Sequence, residues 1–251
     1  MSLCPTRAEH LRTQPFTLAL SAGFFGFFAH TGFLRALEER NVQPYRVVGA
    51  SAGALAGGLW SAGMSAGDLE RELLALERED FWDPGLPLGG LLKGRKFDNR
   101  LRGFLRTLDV VDLQDAPIPF SPVVYEVVRR ETRALRRGDM ADAIRASCAV
   151  PMMFRPVRMG LNLYVDGGLY DRSGQSALTP GELVMMHYLP SKSPWSGVIH
   201  RNAHPGIALN RCLTIQELPK VSPFHLERGP VALAMAHEKA LRWLDEPIQV
   251  L

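Results

Sequence analysis

A short run of small residues, Gly49-Ala50-Ser51-Ala52-Gly53, carries the first sign of chemistry in this chain. Its form, Gly-x-Ser-x-Gly, is typical of a serine held on a sharp turn between a strand and a helix. Gly49 and Gly53 suit such a turn because larger side chains there would clash. A serine at the start of a helix also faces free backbone N–H groups, which stabilise negative charge. The pattern indicates a nucleophilic serine; a turn that only lets a helix pack closely on a strand is the alternative.

A serine hydroxyl is a weak nucleophile, so it needs a base and donors for the oxyanion that its attack creates. The donors are expected in the loop Ser21-Ala22-Gly23-Phe24-Phe25-Gly26, which follows another predicted strand. Loops at the carboxyl ends of neighbouring parallel strands lie together. The backbone N–H groups of Ala22, Gly23 and Phe24 are therefore the predicted oxyanion-hole donors. A plain connection between a strand and a helix would use a similar loop.

The base candidate is Asp166, which follows a short apolar run and precedes Gly167 and Gly168. Two glycines beside a carboxylate allow another chain segment to approach it closely. By itself, Asp-Gly-Gly is also a common turn sequence. A Ser-His-Asp triad is a further alternative, because α/β-hydrolases place their histidine after the acid in the chain. Five histidines satisfy that order: His187, His200, His204, His225 and His237.

The segments that must position these groups alternate between short apolar runs and amphipathic stretches, which is typical of an α/β fold with a mostly parallel sheet. Strands are predicted at 16–20, 45–48, 122–128, 163–165 and 183–189, with a hairpin partner at 132–136. Helices are predicted after the 21–26 loop, at 52–60, from Ser65 through 80, at 98–108, from Asp139 through 147, and at 230–244. The Gly-, Pro- and Leu-rich residues 81–94 are expected to form an ordered loop or a lid.

Five blocks in a fixed order resemble the bacterial patatin-like phospholipases. They are SAGFFG, AHTGFLRALEE, GASAG, DAIRASCAVPMMFRPV and YVDGG, and they fall within residues 18–169. The resemblance implies a three-layer patatin-like fold in which helices flank a mostly parallel central sheet. No internal repeat or interdomain linker is evident in the sequence, so we expect one domain over 1–251, with the motif core at about 16–190 and a C-terminal helical extension at about 228–246.

The resemblance further implies a lipid acyl hydrolase, either a phospholipase A or another carboxylic ester hydrolase, that needs no cofactor or metal. Ser51 would attack a fatty-acyl ester, Asp166 would accept its proton, and the 21–26 loop would hold the oxyanion. Ser21 and Ala22 depart from this family's pattern, which usually has glycines there, and Asp171 replaces a common Asn. The altered loop leaves a second hypothesis open: a catalytically silent lipid-binding protein that keeps the fold.

Bulk properties narrow the class of partner and the compartment. A formal charge of +3 is too small to indicate a nucleic-acid partner. Three scattered cysteines form no disulfide framework, and no apolar run suits a leader or a membrane span. We therefore expect a cytoplasmic protein, with peripheral contact to a membrane surface as the alternative location.

Two clusters of side chains have two interpretations each. Arg129, Arg130, Arg133, Arg136 and Arg137 form either a solvated hairpin or a face that meets anionic lipid headgroups. Phe24, Phe25, Phe27 and Phe28 are either core residues or the wall of a groove for an acyl chain.

Overall fold

Short strands with no polar face form the centre of the sheet, as expected for strands covered on both sides. The structure is a computed structural model that describes residues 4–85, 90–190 and 211–248. Its strands are β1 Thr17–Leu20, β2 Arg46–Ala50, β3 Gly90–Leu92, β4 Phe120–Glu126, β5 Glu131–Ala134, β6 Met152–Phe154, β7 Val157–Met159, β8 Asn162–Asp166, β9 Val184–Tyr188 and β10 Cys212–Thr214. Its helices are α1 Arg7–Arg12, α2 Phe27–Glu39, α3 Ala52–Ser61, α4 Ala66–Leu74, α5 Arg95–Thr107, α6 Met140–Ser147 and α7 Gly229–Asp245.

The main sheet has the strand order β10-β9-β1-β2-β4-β8-β7, and β5 pairs with β4 as a hairpin. Strands β10, β9, β1, β2 and β4 are parallel, whereas β8 runs antiparallel to both β4 and β7. Strands β3 and β6 form a separate two-stranded sheet. The carboxyl ends of β1 and β2 consequently lie side by side. Strand β8 pairs only with Val124–Glu126 at the end of β4, so its carboxyl end at Asp166 reaches the same edge although the strand runs in the opposite direction.

Alternate residues of the central strands supply different cores, as the two-residue period of a strand requires. Val47 and Leu18 belong to the largest apolar cluster, which α2, α3 and α7 share, whereas Val48 and Ala19 belong to smaller clusters. Helix α3 packs on β1, β2 and β4, and α6 packs on β4 and β8. The mostly parallel sheet with flanking helices confirms the predicted fold class.

Local signals placed several helices correctly. The side chains of Ser65 and Asp139 accept hydrogen bonds from the backbone N–H groups of Asp68 and Asp142, so both predicted N-caps are confirmed. The helix predicted through residue 80 is too long, because α4 ends at Leu74 and a separate 3₁₀ turn follows at Arg78–Asp80. The stretch at 81–94 contains β3, where a plain loop or lid was expected.

Candidate active site

Ser51 lies on the sharp turn between β2 and α3, with a left-handed φ of 51° and ψ of −117°. An L-residue adopts this conformation only when its surroundings impose it. A Cβ added at Gly49 would lie 2.5 Å from the Gly53 carbonyl oxygen, and one at Gly53 would collide with the Leu20 carbonyl. The two glycines therefore allow the turn to close against β1, as the pentapeptide predicts.

Two neighbours at the end of α6 hold the backbone of Ser51, and neither was identified as functional from the sequence. The Ser147 hydroxyl accepts the Ser51 backbone N–H at 3.0 Å and donates to the Val123 carbonyl of β4 at 2.6 Å. The Cys148 thiol donates to the Ser51 carbonyl at 3.2 Å. Both residues lie in the block DAIRASCAV, and their types gave no signal of this contact. These hydrogen bonds hold the strained turn at Ser51 against α6 and, through Ser147, against β4.

Asp166 ends β8 at the level of Val124 of β4, which is one residue beyond the level of Ala50. Its side chain is buried, with 3% exposure, and its Oδ1 accepts the Gly168 N–H at 2.8 Å. Burial raises the pKa of Asp166 to about 6, against the lowering effects of a hydrogen bond from Ser51, the Gly168 N–H and the charge of Arg172. A carboxylate with this pKa can accept a proton near neutral pH and release it again.

Gly167 and Gly168 let three chain segments meet around Asp166. A Cβ at Gly167 would lie 2.6 Å from the Val123 carbonyl carbon and oxygen. A Cβ at Gly168 would lie 3.0 Å from Asp166 Oδ1 and 3.6 Å from Ser51 Cβ, and it would collide with the Ala22 side chain. Because Gly168 has no side chain, Ser51, the Asp166 carboxylate and Ala22 can all pack closely around it.

The loop after β1 differs from the prediction at one of its three donors. The Ala22 N–H donates to the Arg172 carbonyl at 2.7 Å, so this amide does not face an oxyanion. The physical reason is that the Asp166 loop passes beside Ala22 and takes its hydrogen bond. The N–H groups of Gly23 and Phe24 have no partner among residues 4–85, 90–190 and 211–248. These two remain the candidate donors.

A ring of hydrogen bonds joins the loops that follow β1, β8 and β9. Besides the Ala22 N–H bond to Arg172, the Arg172 Nε donates to the Leu189 carbonyl at 3.0 Å. The Leu189 N–H donates to the Ser21 hydroxyl at 2.8 Å. Ser21, which replaces a glycine of the family pattern, thus has a role in fixing the loop.

The histidines in the described part of the chain do not approach Ser51 by hydrogen bonding. The His30 Nε2–H donates to the Ser21 carbonyl at 2.8 Å, and its Nδ1 accepts from the His187 Nδ1–H at 3.0 Å. Burial lowers the pKa of His30 to about 4 and that of His187 well below its usual value. His225 and His237 pair with Glu227 and Glu39, while His200 and His204 lie outside the described residues.

An apolar cavity opens from Ser51 along α3. Its wall includes Gly23, Phe24, Phe25, Phe27, Ala52, Leu55, Leu59, Leu73, Phe81, Trp82, Leu101, Phe104, Cys148, Val150, Met153 and Phe154. Phe28, by contrast, is a core residue with 1% exposure, so the aromatic cluster divides between both interpretations. Three charged residues also line the cavity, and they pair with each other: Arg100 bonds Asp80 at 2.7 Å and Glu72 at 3.2 Å. The cavity suits an alkyl chain beside the nucleophile.

The site has no grouping suited to a metal among the described residues: no three His, Cys, Asp or Glu side chains gather there. No helix in those same ranges is long and apolar enough to cross a bilayer. The cysteines in the described part of the chain are free thiols.

The chain belongs to the patatin-like phospholipase family, because the model of that family matches residues 18–177. An uncharacterised NTE family protein of Mycobacterium bovis is 29% identical over 218 residues, which is 82% of this chain and 36% of the relative. Lysophospholipase NTE1 of Mycosarcoma maydis is 28% identical over 65% of this chain and 9% of its own length. The chain thus spans about a third of the mycobacterial relative.

Among solved structures, VipD of Legionella pneumophila has a TM-score of 0.67 at 15% identity, covering 93% of this chain and 67% of that chain. At this identity the likeness concerns the fold. It agrees with the sheet and flanking helices described above.

Proposed function

We propose that this protein hydrolyses the acyl ester bonds of lipids through a Ser51–Asp166 dyad. The observation that carries the proposal is the buried Asp166 carboxyl, which packs with Ser51 around Gly168 and has a pKa raised by burial to about 6, while Ser51 lines an apolar cavity. Family membership supports the substrate class. The name of one relative, a lysophospholipase, supports a lipid substrate with an acyl ester.

The chemistry follows from where the groups lie. Ser51 Oγ attacks the acyl carbonyl carbon while its proton passes to Asp166, and the carbonyl oxygen becomes an oxyanion near the Gly23 and Phe24 N–H groups. The oxyanion then collapses, and Asp166 returns the proton to the leaving alcohol as the ester C–O bond breaks. Water, deprotonated by Asp166, hydrolyses the acyl-enzyme and regenerates Ser51.

The strained turn contributes to this scheme because it leaves the Ser51 side chain without a capping hydrogen bond to its own helix. Serine at the N-terminus of α3 also lies where the helix dipole favours negative charge. Both effects are in place before the substrate binds, so no reorganisation is needed during the reaction.

The proposal is tested with a soluble ester, p-nitrophenyl butyrate, and with dispersed lysophosphatidylcholine. Ser51→Ala and Asp166→Asn should each lower kcat by about 10³-fold or more, since nucleophile and base act together. Ser176→Ala and Asp171→Asn serve as matched controls, because both residues lie in the loop that follows Asp166 and neither side chain hydrogen-bonds Ser51. Hydrolysis that survives in both dyad variants would refute the mechanism.

The altered loop keeps the second candidate function in view: lipid binding without catalysis. A fluorophosphonate probe separates the two, because it labels an activated serine and leaves an inert one unmodified. Labelling of the wild type but not of Ser51→Ala supports the hydrolase. An unlabelled wild type that still binds lysophosphatidylcholine would support the binding protein instead.

A further inference from the structure

Two hairpins project beyond the catalytic residues at the same edge of the sheet. The β4–β5 turn contains Val127, Val128, Arg129 and Arg130, and the β7–β8 turn contains Gly160 and Leu161. The Val127 N–H donates to the Leu163 carbonyl at 2.9 Å, so the turns lie side by side. We call Val128, Arg130, Arg158 and Leu161 the tip surface.

The register of the strands fixes the distance of the tip surface from the site. Asp166 pairs with Val124, and β8 runs back from Asp166 to Asn162, which is four residues nearer the turns. At about 3.3 Å per residue, the turns extend about 13 Å past the level of the dyad, on its side of the sheet.

Two apolar side chains at the tip surface point into solvent. Leu161 is 92% exposed and Val128 is 73% exposed. Met152, at 82%, adds a third exposed apolar side chain between the cavity-lining Val150 and Met153. Single exposed apolar residues are ordinary, but Val128 and Leu161 both occur on projecting turns at the edge that carries the cavity.

Positive charge accompanies these apolar tips. Arg129 and Arg133 form ion pairs with the buried Glu126, which partly neutralises their charge within the hairpin. Arg130 and Arg158 form no ion pair with a carboxylate in the described part of the chain, and both are exposed. Two unpaired cations beside protruding apolar side chains complement a surface that is negatively charged outside and apolar beneath.

We propose that the tip surface docks on an anionic lipid bilayer, with Val128 and Leu161 entering the headgroup region and Arg130 and Arg158 meeting lipid phosphates. This inference rests on the proposed function, because docking would bring the acyl substrate to the edge of the sheet where Ser51 lies. The proposal assigns a membrane contact to only one part of the arginine-rich segment 129–137. Arg136 and Arg137 lie past the other end of β5, about 23 Å back along the strand from Val128.

The test measures binding to vesicles of phosphatidylcholine with about one third phosphatidylglycerol, using Ser51→Ala protein so that the lipid stays intact. Arg130→Gln with Arg158→Gln should weaken partitioning about thirtyfold. Val128→Ser with Leu161→Ser should weaken it about tenfold or more. The matched control, Arg136→Gln with Arg137→Gln, removes the same charge more than two Debye lengths away and should change binding less than threefold.

Each outcome decides the inference. Selective weakening by the tip variants supports docking, and weaker binding to pure phosphatidylcholine confirms its electrostatic part. Equal weakening by the control, no effect of the tip variants, or no binding of the parent protein overturns it. Sedimentation of the same variants without lipid identifies self-association, and a dimer lost only in the tip variants would also overturn it.

A second experiment distinguishes failure of the docking proposal from failure of the proposed hydrolase function. With Ser51 restored, the tip variants should hydrolyse soluble p-nitrophenyl butyrate at the parent rate, because the tips do not touch the dyad. Absent esterase activity in the parent counts against the hydrolase alone. Normal esterase activity with unchanged vesicle binding in the variants counts against the docking surface alone.

Discussion

The contact between Ala22 and Gly168 allows a sharp test of how the two loops of the proposed site fit together. In Gly168→Ala, the new methyl group would overlap the Ala22 side chain, and it would lie 3.0 Å from Asp166 Oδ1. The backbone at Gly168 is not in the left-handed region, so the effect is steric rather than conformational. Overpacking of this kind costs about 1–3 kcal/mol of stability.

The catalytic effect should exceed the effect on stability. The overlap is relieved only if the Asp166 loop or the Ala22 loop moves, by something on the order of 1 Å, and such a displacement lowers activity about 100-fold. We expect kcat/KM for p-nitrophenyl butyrate to fall by that factor while the midpoint of thermal unfolding falls by roughly 2–12 °C.

The second variant of the pair makes the prediction specific. Adding Ala22→Gly to Gly168→Ala removes the overlap, so activity should recover at least tenfold; recovery stays partial because the contact with Asp166 remains. Gly167→Ala is the control, since its methyl group would meet the Val123 backbone, which Ala22→Gly does not relieve. Full activity in Gly168→Ala, or equal recovery of both glycine variants, would refute the packing argument.

Three further predictions concern titrating groups. Asp166 must be ionised to act as the base and has a pKa of about 6, so kcat/KM should fall tenfold for each pH unit below 6. The raised pKa also means that the charged form of Asp166 opposes folding. Asp166→Asn should therefore raise the unfolding temperature at pH 8 and leave it unchanged near pH 3. Burial lowers the pKa of His30 to about 4, so its neutral form stabilises the fold. This contribution should be complete above about pH 6.5 and should be lost as the pH falls towards 4. Urea titrations of wild type and His30→Gln check this, and an equal dependence on pH in both proteins contradicts it. Burial by itself would raise the pKa of Glu182, but hydrogen bonding, chiefly to Arg46, outweighs it and lowers the pKa to about 2. Glu182→Gln should therefore lower the free energy of unfolding by about 2–4 kcal/mol at pH 7, and by progressively less as the pH falls from 4.5 to 2. A loss that does not depend on pH would point to packing instead.

Features that depend on neighbouring residues in the chain could be predicted from the sequence. Ser65 and Asp139 act as N-caps because the N–H groups that they accept lie three residues away. The turn at Ser51 follows from its flanking glycines for the same reason. The family resemblance then supplied the pairing of Ser51 with Asp166, which no local pattern contains.

Features that depend on contacts between distant segments could not be predicted. The Ala22 N–H is used by Arg172, 150 residues later, and nothing in the 21–26 loop signals this. Ser147 and Cys148 hold the Ser51 backbone through hydrogen bonds that depend on how α6 packs on β4. Strand β8 has an ordinary apolar sequence, which carries no information on its antiparallel direction.

The ring of hydrogen bonds among the loops after β1, β8 and β9 has a consequence for how the site responds to heat. Because the three bonds join the loops in pairs, the opening of any one loop breaks two of them, and movement of the loop after β1 frees the amides of both Ala22 and Leu189. The amides of Ala22 and Leu189 should therefore exchange with deuterium together, at the rate of the central strands. Activity and the folded core would then be lost at one temperature, without an inactive but still folded intermediate.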